Sequence, residues 1–229
     1  ALQVLAAAAA TSSLPLRAQM IKPAVPTTAT MLSRKIPSSG ELLPVIGLGT
    51  WQTFDVGSDT AARKPLEDVM REFAALGGKL IDSSPMYGRS EDVAGEVIAN
   101  AGLSKKLFIA TKVWTSGKAA GVAQMEASMQ KLRTDMKNAP IDLMQVHNLL
   151  DVEAHLDTLK AWKQEGRVRY IGVTHYTSSA YDAVAKVIAK HSVDFLQINY
   201  SVGEREAEQR LLPLAKERGI AVIVNRPFA

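Results

Sequence analysis

The chain has 229 residues, enough to bury a full core as one domain, and an ordinary globular composition with 47% hydrophobic and 22% charged residues. It contains no cysteine, which excludes disulfide scaffolds, cysteine-ligated zinc and thiol nucleophiles. The net charge of +4 is not concentrated in long runs, which argues against a nucleic-acid partner, and no apolar run reaches the roughly 18 residues of a membrane span.

The N-terminal segment, residues 1–18, begins with an apolar, alanine-rich stretch that is followed by small and polar residues. This order is typical of the apolar and cleavage regions of a secretory signal without its basic leader. The prediction is therefore an exported, periplasmic protein, and the alternative is a cytoplasmic protein with a helical or disordered tail. Residues 19–31, rich in Pro and Thr, are predicted to be a linker to a domain that covers residues 32–229.

The domain is predicted to open with a β-hairpin, because residues 32–36 and 42–46 flank a Pro-Ser-Ser-Gly turn. A strand end follows at residues 47–51. A helix is predicted over residues 65–76, since Pro65 suits a first turn and two glycines follow Leu76. Four apolar residues repeat on one face of this helix at the 3.6-residue period: Leu66, Val69, Met70 and Phe73.

Short apolar strands then alternate with amphipathic helices at intervals of about 25–35 residues, the spacing of a βαβ unit. Strands are predicted at residues 80–82, 107–111, 143–146, 170–173, 194–200 and 221–224. Ser90 is predicted to cap the helix whose first turn carries Glu91 and Asp92. Counting from residue 45, the pattern contains seven strands and six helices.

We therefore predict an α/β fold of the TIM (β/α)8-barrel type, truncated at its C-terminal end with about seven strands present, after an N-terminal β-hairpin. A doubly wound sheet is the alternative. It is less favoured because no G-x-G-x-x-G turn follows any strand.

Polar side chains stand at or just after the ends of three successive predicted strands. Asp82 ends one strand and Tyr87 follows it, Lys112 ends the next and His147 ends the third. Parallel strands present their carboxyl ends at one face of a barrel, so these side chains are expected to meet. Considered one at a time, these residues are more typical of ordinary structural roles: a turn residue for Asp82, a half-buried aromatic for Tyr87, a surface charge for Lys112 and a core histidine for His147. Their joint placement favours a catalytic group.

The chemistry of this group suits carbonyl reduction. A phenol holds its proton at neutral pH, and a nearby ammonium lowers its pKa. We expect Lys112 to act on Tyr87 in this way, Asp82 to pair with Lys112, and His147 to hold a carbonyl oxygen beside the Tyr87 hydroxyl. The hydride must come from a cofactor, because no side chain supplies one.

These motifs resemble those of the aldo-keto reductase family over residues 32–229. The likeness is carried by Gly-Leu-Gly-Thr-Trp at 47–51, Asp-Ser-Ser-x-x-Tyr-Gly-x-Ser-Glu at 82–91, Thr-Lys-Val-Trp at 111–114 and Asp-Leu-Met-Gln-Val-His at 142–147. The resemblance implies a TIM barrel that reduces aldehydes or ketones to alcohols with NADPH, NADH not being excluded. It implies Tyr87 as the proton donor, tuned by Lys112 and Asp82, with His147 orienting a small carbonyl substrate.

The resemblance also implies a substrate pocket and a cofactor site. Trp51 and Trp114 would line an apolar substrate pocket, with ordinary core packing as the alternative. The cofactor would be held by Thr50, Trp51, Thr174, His175, Gln197, Asn225 and Arg226. His175 replaces the family's usual Asn, and Asn225 or Arg226 stands where a Tyr commonly stacks on the nicotinamide. Arg226 is expected to stack by its guanidinium plane or to reach the pyrophosphate.

Two other functions remain open. One is a barrel that binds the cofactor with little turnover and serves as a sensor or subunit. The other is a metal-dependent hydrolase using His147, His175 and Asp82 as ligands; no His-x-His or His-Glu-x-x-His motif supports it, and no metal site is predicted. Because the pattern lacks an eighth strand-helix unit, we expect the 229-residue chain by itself to bind NADPH weakly or not at all.

Overall fold

A computed structural model describes residues 31–132 and 140–228 of the chain. Strands β1 (Ser33–Lys35) and β2 (Leu42–Pro44) pair antiparallel, which confirms the predicted hairpin. The predicted signal segment, residues 1–18, and nearly all of the predicted linker, residues 19–31, lie outside the described residues.

Seven parallel strands follow in one curled sheet, in which each strand pairs with the next along the chain. They are β3 (Leu48–Gly49), β4 (Leu80–Asp82), β5 (Phe108–Val113), β6 (Ile141–His147), β7 (Val168–Thr174), β8 (Phe195–Asn199) and β9 (Ala221–Asn225). Strands β3 and β9 are the two edges of this sheet. The order is that of a (β/α)8 barrel one strand short of closing, as the sequence predicts.

Six α-helices connect the strands in the described part of the chain. They are α1 (Thr60–Ala75), α2 (Ser90–Asn100), α3 (Lys118–Lys131), α4 (Val152–Gln164), α5 (Tyr181–Lys190) and α6 (Leu211–Glu217). Their apolar faces pack with the outer face of the sheet in one large core. Of these helices, none is both long and apolar enough to cross a membrane.

The interior of the barrel holds a second, smaller core. It consists of Ile36, Leu80, Phe108, Ala110, Leu143, Tyr170 and Phe195. Ile36, at the end of β1, is only 2% exposed, and the Tyr170 hydroxyl donates to Ser39 Oγ of the hairpin turn at 2.8 Å. The hairpin therefore closes the amino end of the barrel, and the carboxyl ends of the strands are left for a site.

The first helix begins five residues earlier than predicted. Asp59 lies before it in an extended conformation, and its carboxylate accepts a hydrogen bond from the Ala61 N–H at 2.9 Å, which caps the helix. Pro65 is inside the helix rather than in its first turn. The buried stripe includes Leu66 and Met70 but not Val69, which is 46% exposed, so its predicted inward position is wrong.

The contact between α2 and α3 depends on Gly95. A Cβ atom at this position would overlap the Lys131 carbonyl oxygen and lie 3.0 Å from Leu132 Cα, so that only backbone movement relieves the clash. We expect Gly95→Ala to lower the free energy of unfolding by about 1–3 kcal/mol, the usual cost of overpacking. Gly57→Ala is the control, because a Cβ there meets nothing within 4 Å. Urea denaturation measures both, and equal stabilities would contradict the prediction.

Candidate active site

A buried ion pair joins the ends of β4 and β5. Lys112 Nζ donates to Asp82 Oδ2 at 2.8 Å and to the Ser83 carbonyl oxygen at 2.6 Å. The Lys112 side chain is 1% exposed and that of Asp82 is 15% exposed. An ammonium at this depth requires a counter-charge and acceptors. The predicted pairing of these two residues is therefore present.

Tyr87 lies above this pair in the loop between β4 and α2. Lys112 Nζ is 5.1 Å from the centre of the Tyr87 ring. Burial raises the pKa of Tyr87 and is the largest influence on it, while the Lys112 charge lowers the pKa and the Asp82 charge raises it. The net direction is upward, opposite to the lowered pKa that the sequence predicted, because desolvation of the phenol outweighs the ammonium. The hydroxyl therefore holds its proton at neutral pH.

His147 ends β6 beside this tyrosine. Its ring meets Tyr87 edge-on, with centroids 6.1 Å apart and planes at 87°, and lies 6.5 Å from the Trp114 ring. Burial, and then the charges of Lys112 and His175, lower the pKa of His147 to about 3. The imidazole is therefore neutral at physiological pH and acts as a hydrogen-bonding group rather than as an acid.

The lowered pKa of His147 makes stability depend on pH. In the unfolded chain a histidine has the ordinary pKa of about 6.5, so below that pH the unfolded state binds a proton that the folded state does not. Stability should therefore fall as the pH drops from about 6.5 towards 3. We expect His147→Gln to reduce the slope of unfolding free energy against pH by up to about 1.4 kcal/mol per unit. Urea denaturation at several pH values tests this, and identical slopes would contradict it.

These side chains open into a cleft of about 1450 Å³ along the open side of the sheet, between β3 and β9. Trp51, Tyr87, Trp114 and His147 all line the cleft. Trp51 is 62% exposed and Trp114 is 40% exposed, so neither is ordinary core packing. The structure thus brings together the four predicted catalytic residues and both predicted pocket tryptophans.

The predicted cofactor residues lie along the same cleft with one exception. Those that line it are Thr50, Trp51, Thr174, Gln197, Asn225 and Arg226. The Thr174 hydroxyl donates to Gln197 Oε1 at 2.9 Å, and Arg226 Nη1 donates to the Tyr176 carbonyl oxygen at 3.3 Å. The first of these bonds joins the end of β7 to the middle of β8. The second fixes the last part of the described chain to the loop after β7.

His175 is the exception. Its Nδ1 accepts from the Tyr176 N–H at 3.0 Å, and its ring stacks on the Tyr176 ring at 5.5 Å with planes 7° apart. The side chain is thus held within its own turn, and it is Tyr176, 50% exposed, that lines the cleft at this point. The interpretation of His175 as a cleft residue is therefore not supported by its position.

Two buried oxygens at the cleft have no donor in the part of the chain that the structure describes. They are Asn148 Oδ1, directly after β6, and Asn225 Oδ1, at the end of β9. The Asn225 amide N–H donates to the His175 carbonyl oxygen at 3.1 Å, which fixes the direction of that side chain. Buried acceptors are rarely left unpaired. Each of these oxygens is free to accept a hydrogen bond from a ligand N–H, such as that of a nicotinamide carboxamide.

The Trp51 loop is tied to the Tyr87 loop by polar contacts that the sequence did not reveal. The Thr50 hydroxyl donates to Ser83 Oγ at 2.9 Å, and the Ser90 hydroxyl donates to the Thr50 carbonyl oxygen at 3.1 Å. Asp55 Oδ1 accepts from the Arg89 N–H at 2.9 Å, just before α2 begins. The prediction that Ser90 caps α2 is therefore wrong, because a carboxylate from another loop satisfies that helix end.

The loop that carries Trp114 is fixed from both sides. Gln124 Oε1 of α3 accepts from the Trp114 N–H at 2.6 Å. On the other side, His155 Nε2 of α4 contacts the Thr115 carbonyl oxygen at 2.7 Å, and the Asp151 carboxylate accepts from a further backbone N–H of the loop at 2.6 Å. The wall of the cleft at Trp114 is therefore attached to the start of α4, the helix that follows β6 in the chain.

Glu91 has a role that the sequence pattern concealed. It was predicted to be a helix-terminal charge, yet it is 1% exposed and accepts from Thr111 Oγ1 at 2.6 Å and from Ser128 Oγ at 3.1 Å. Burial raises the pKa of Glu91, although these hydrogen bonds lower it. Because Thr111 precedes Lys112, Glu91 fixes β5 against α2 and α3 immediately behind the ammonium.

Metal chemistry has no support from the described residues. Within residues 31–132 and 140–228, no three His, Asp or Glu side chains are grouped so that they could hold a metal ion. Asp82, which the hydrolase alternative requires as a ligand, is engaged by Lys112.

Comparison with known proteins identifies relatives of one kind. The profile of the Aldo/keto reductase family matches residues 45–229. Aldo-keto reductase YhdN of Bacillus subtilis is 30% identical over 194 residues, which cover 78% of this chain and 56% of that protein. Methylglyoxal reductase YeaE of Escherichia coli is 29% identical over 206 residues, which cover 87% of this chain and 69% of that protein. The chain thus spans about half to two-thirds of the length of these relatives.

Solved structures agree with the fold. An aldo/keto reductase from Klebsiella pneumoniae, in complex with NADP and acetate, is 25% identical and superimposes with a TM-score of 0.67 over 81% of this chain and 64% of that chain. A thermostable aldo-keto reductase in complex with the inhibitor epalrestat has a TM-score of 0.70 at 24% identity, over 85% of this chain and 72% of that chain. At 24% identity, the similarity to this second structure is evidence for the fold alone.

Proposed function

The chain belongs to the aldo/keto reductase family, and from this premise we propose that it reduces an aldehyde or ketone to an alcohol with NADPH, with Tyr87 as the proton donor. One observation carries the proposal. The Lys112 ammonium, held by Asp82 at 2.8 Å, lies 5.1 Å from the Tyr87 ring at the mouth of the cleft. The Tyr87 hydroxyl, which keeps its proton at neutral pH, is thus placed beside the Lys112 ammonium, which stabilises the phenolate.

Each of the four residues has one task in this proposal. Tyr87 Oη donates its proton to the carbonyl oxygen as negative charge develops there. Lys112 stabilises the phenolate that remains, and Asp82 balances the charge of Lys112 before and after the transfer. His147, as a neutral ring, donates a hydrogen bond that holds the carbonyl oxygen next to Tyr87.

NADPH, when bound, supplies the hydride. Thr174, Gln197 and Arg226 would hold it along the cleft. Its amide N–H would donate to the unpaired oxygen of Asn148 or of Asn225. The NADP-bound relative from Klebsiella pneumoniae supports NADPH as the cofactor, with NADH as the alternative.

The walls of the cleft favour a flat, largely apolar carbonyl compound. The Trp51 ring is 6.5 Å from Tyr87, and the Trp114 ring is 6.5 Å from His147. Two exposed indoles beside the proposed donors can bury an aromatic substrate. We therefore propose aromatic aldehydes as good substrates; the name of the methylglyoxal reductase relative makes small dicarbonyls a second class to test.

Deuterium transfer tests the proposed reaction. The full-length protein is incubated with NADPH that carries deuterium at the transferable C4 position and with 4-nitrobenzaldehyde. We expect oxidation of NADPH in step with alcohol formation, and one deuterium on the carbinol carbon. Binding of NADPH without alcohol or label transfer would contradict the enzyme and favour the alternative, a sensor or subunit with little turnover.

The 229-residue chain by itself is expected to bind NADPH weakly. The cleft is bounded by β3 and β9, which are not joined to each other, so a ligand in it remains largely in contact with water. Fluorescence titration of this chain with NADPH measures the affinity. A dissociation constant in the micromolar range would contradict the expectation.

Export of the protein is also a proposal, and it rests on the composition of residues 1–18 alone. Mass spectrometry of the mature protein gives its first residue. A start near Gln19 would support export, and a start well upstream of it would contradict export and favour a cytoplasmic protein.

A further inference from the structure

The Ser84 hydroxyl has a position that suggests a role of its own. Ser84 follows β4, two residues after Asp82, and is fully buried. Its Oγ lies 3.1 Å from His147 Nδ1. We propose that Ser84 is a positioning residue that donates to His147 Nδ1 and so fixes the ring proton on Nε2. The catalytic role of Ser84 rests on the proposed reductase function, whereas the tautomer of His147 does not depend on it.

The direction of this hydrogen bond follows from the donors and acceptors that surround the Ser84 hydroxyl. A serine hydroxyl has one proton and two lone pairs. The Met86 N–H donates to Ser84 Oγ at 3.4 Å and takes one lone pair. Within residues 31–132 and 140–228, His147 Nδ1 is the one acceptor found for the Ser84 hydroxyl proton. If Nδ1 carried the ring proton instead, the buried Ser84 proton would have no acceptor, which folded proteins avoid.

The surroundings of His147 keep its ring neutral. Burial disfavours a second proton on the ring and so lowers its pKa, as does the nearby Lys112 charge. A neutral ring that accepts at Nδ1 must carry its single proton on Nε2. The ring also lines the cleft beside Tyr87. Ser84 therefore makes His147 a donor towards a carbonyl oxygen, whereas the other tautomer would present a lone pair to it.

Nitrogen NMR of the full-length protein with 15N-labelled histidine tests the tautomer directly. His147→Gln identifies the His147 signals by their loss. We expect a protonated Nε2 and an unprotonated Nδ1 that is shifted by an accepted hydrogen bond. In Ser84→Ala the Nδ1 signal should move to that of a free imidazole nitrogen or average with the second tautomer. A wild-type ring protonated at Nδ1 would overturn the proposal, whether or not the protein reduces carbonyl compounds.

Ser83→Ala is the matched control. The Ser83 hydroxyl is also buried, but it accepts from Thr50 and does not contact His147. This variant should leave the His147 signals unchanged; a shift as large as in Ser84→Ala would mean altered packing and would overturn the proposal.

Turnover tests the catalytic consequence separately. We expect kcat/KM of Ser84→Ala to fall about tenfold, the size of one neutral hydrogen bond, and Ser84→Thr, which keeps the hydroxyl, to recover most of it. A changed tautomer with unchanged kcat/KM would overturn the positioning role. If the wild type shows no turnover at all, the proposed function fails while the NMR result still decides the tautomer.

Discussion

Replacing Tyr87 by Phe is expected to lower kcat for carbonyl reduction by about 10²–10⁴-fold, the range that a positioned general acid supplies. The change removes one oxygen and keeps the ring, so the contacts of Trp51 and His147 with it remain. Lys112 and Asp82 stay paired, because their hydrogen bond does not involve the phenol. The affinity for NADPH should therefore change little, because the phenol hydroxyl is not among the groups proposed to hold the cofactor.

Stopped-flow measurement of NADPH oxidation separates the two effects, since a single turnover reports the chemical step and a titration reports binding. Tyr200→Phe is the matched control: its hydroxyl bonds to Glu208 on the outside of the barrel, and it should keep wild-type kcat. If Tyr87→Phe and wild type turn over alike, Tyr87 is not the proton donor.

The second large effect concerns stability. Asp82→Ala should lower the free energy of unfolding by about 3–5 kcal/mol, because it leaves the ammonium of Lys112 buried without its counter-charge. The Ser83 carbonyl oxygen at 2.6 Å remains as an acceptor but carries no full charge. Activity should be lost in the same variant, since Lys112 would no longer be held beneath Tyr87.

Two further variants isolate the cause. Asp157 pairs with Lys160 at 3.9 Å on the surface and is 76% exposed, so Asp157→Ala should cost at most about 1 kcal/mol. The double variant Asp82→Ala/Lys112→Met removes both buried charges and should recover most of the lost stability, although not the activity. Urea denaturation measures all three. A loss below about 1 kcal/mol in Asp82→Ala would contradict the prediction, because it would show that the Lys112 charge is compensated without Asp82.

The parts of the molecule that follow local rules were predictable. Asp82 and His147 end short apolar strands, Lys112 is the penultimate residue of another, and consecutive parallel strands bring their ends to one face. Ser84 stands in the recognised motif but was given no role. It lies two residues beyond the end of β4, where the strand period no longer sets the direction of a side chain.

Other features depend on partners that are distant in sequence. Glu91 has the position of a helix-terminal charge, and only the hydroxyls of Thr111 and Ser128, from two other elements, make it a buried group. Ser90 likewise has the composition of a cap but bonds to the Thr50 carbonyl oxygen. No local pattern contains these contacts, so sequence reasoning assigned both residues to the surface end of a helix.

The side chain of His175 does not line the cleft, and the reason is different. Beyond the last strand residue the direction of a side chain is set by the turn and not by the strand period. The Nδ1 atom of His175 accepts backbone N–H groups of that turn, from Tyr176 and Thr177, and this draws the ring away from the cleft. The family resemblance pointed to this loop, and in the structure the loop lines the cleft through Tyr176 rather than through His175.

Under the proposed reductase function, the attachment of the Trp114 loop to α4 should allow substrate choice to be altered without changing any residue that lines the cleft. Gly121 leaves the space that His155 occupies, and a Cβ atom there would overlap the imidazole ring. A single added methyl group would push His155 off the Thr115 carbonyl oxygen and so loosen one of the contacts that hold the Trp114 loop. Directed evolution for bulkier substrates should therefore find its first gains on the outer helices, one layer behind the pocket.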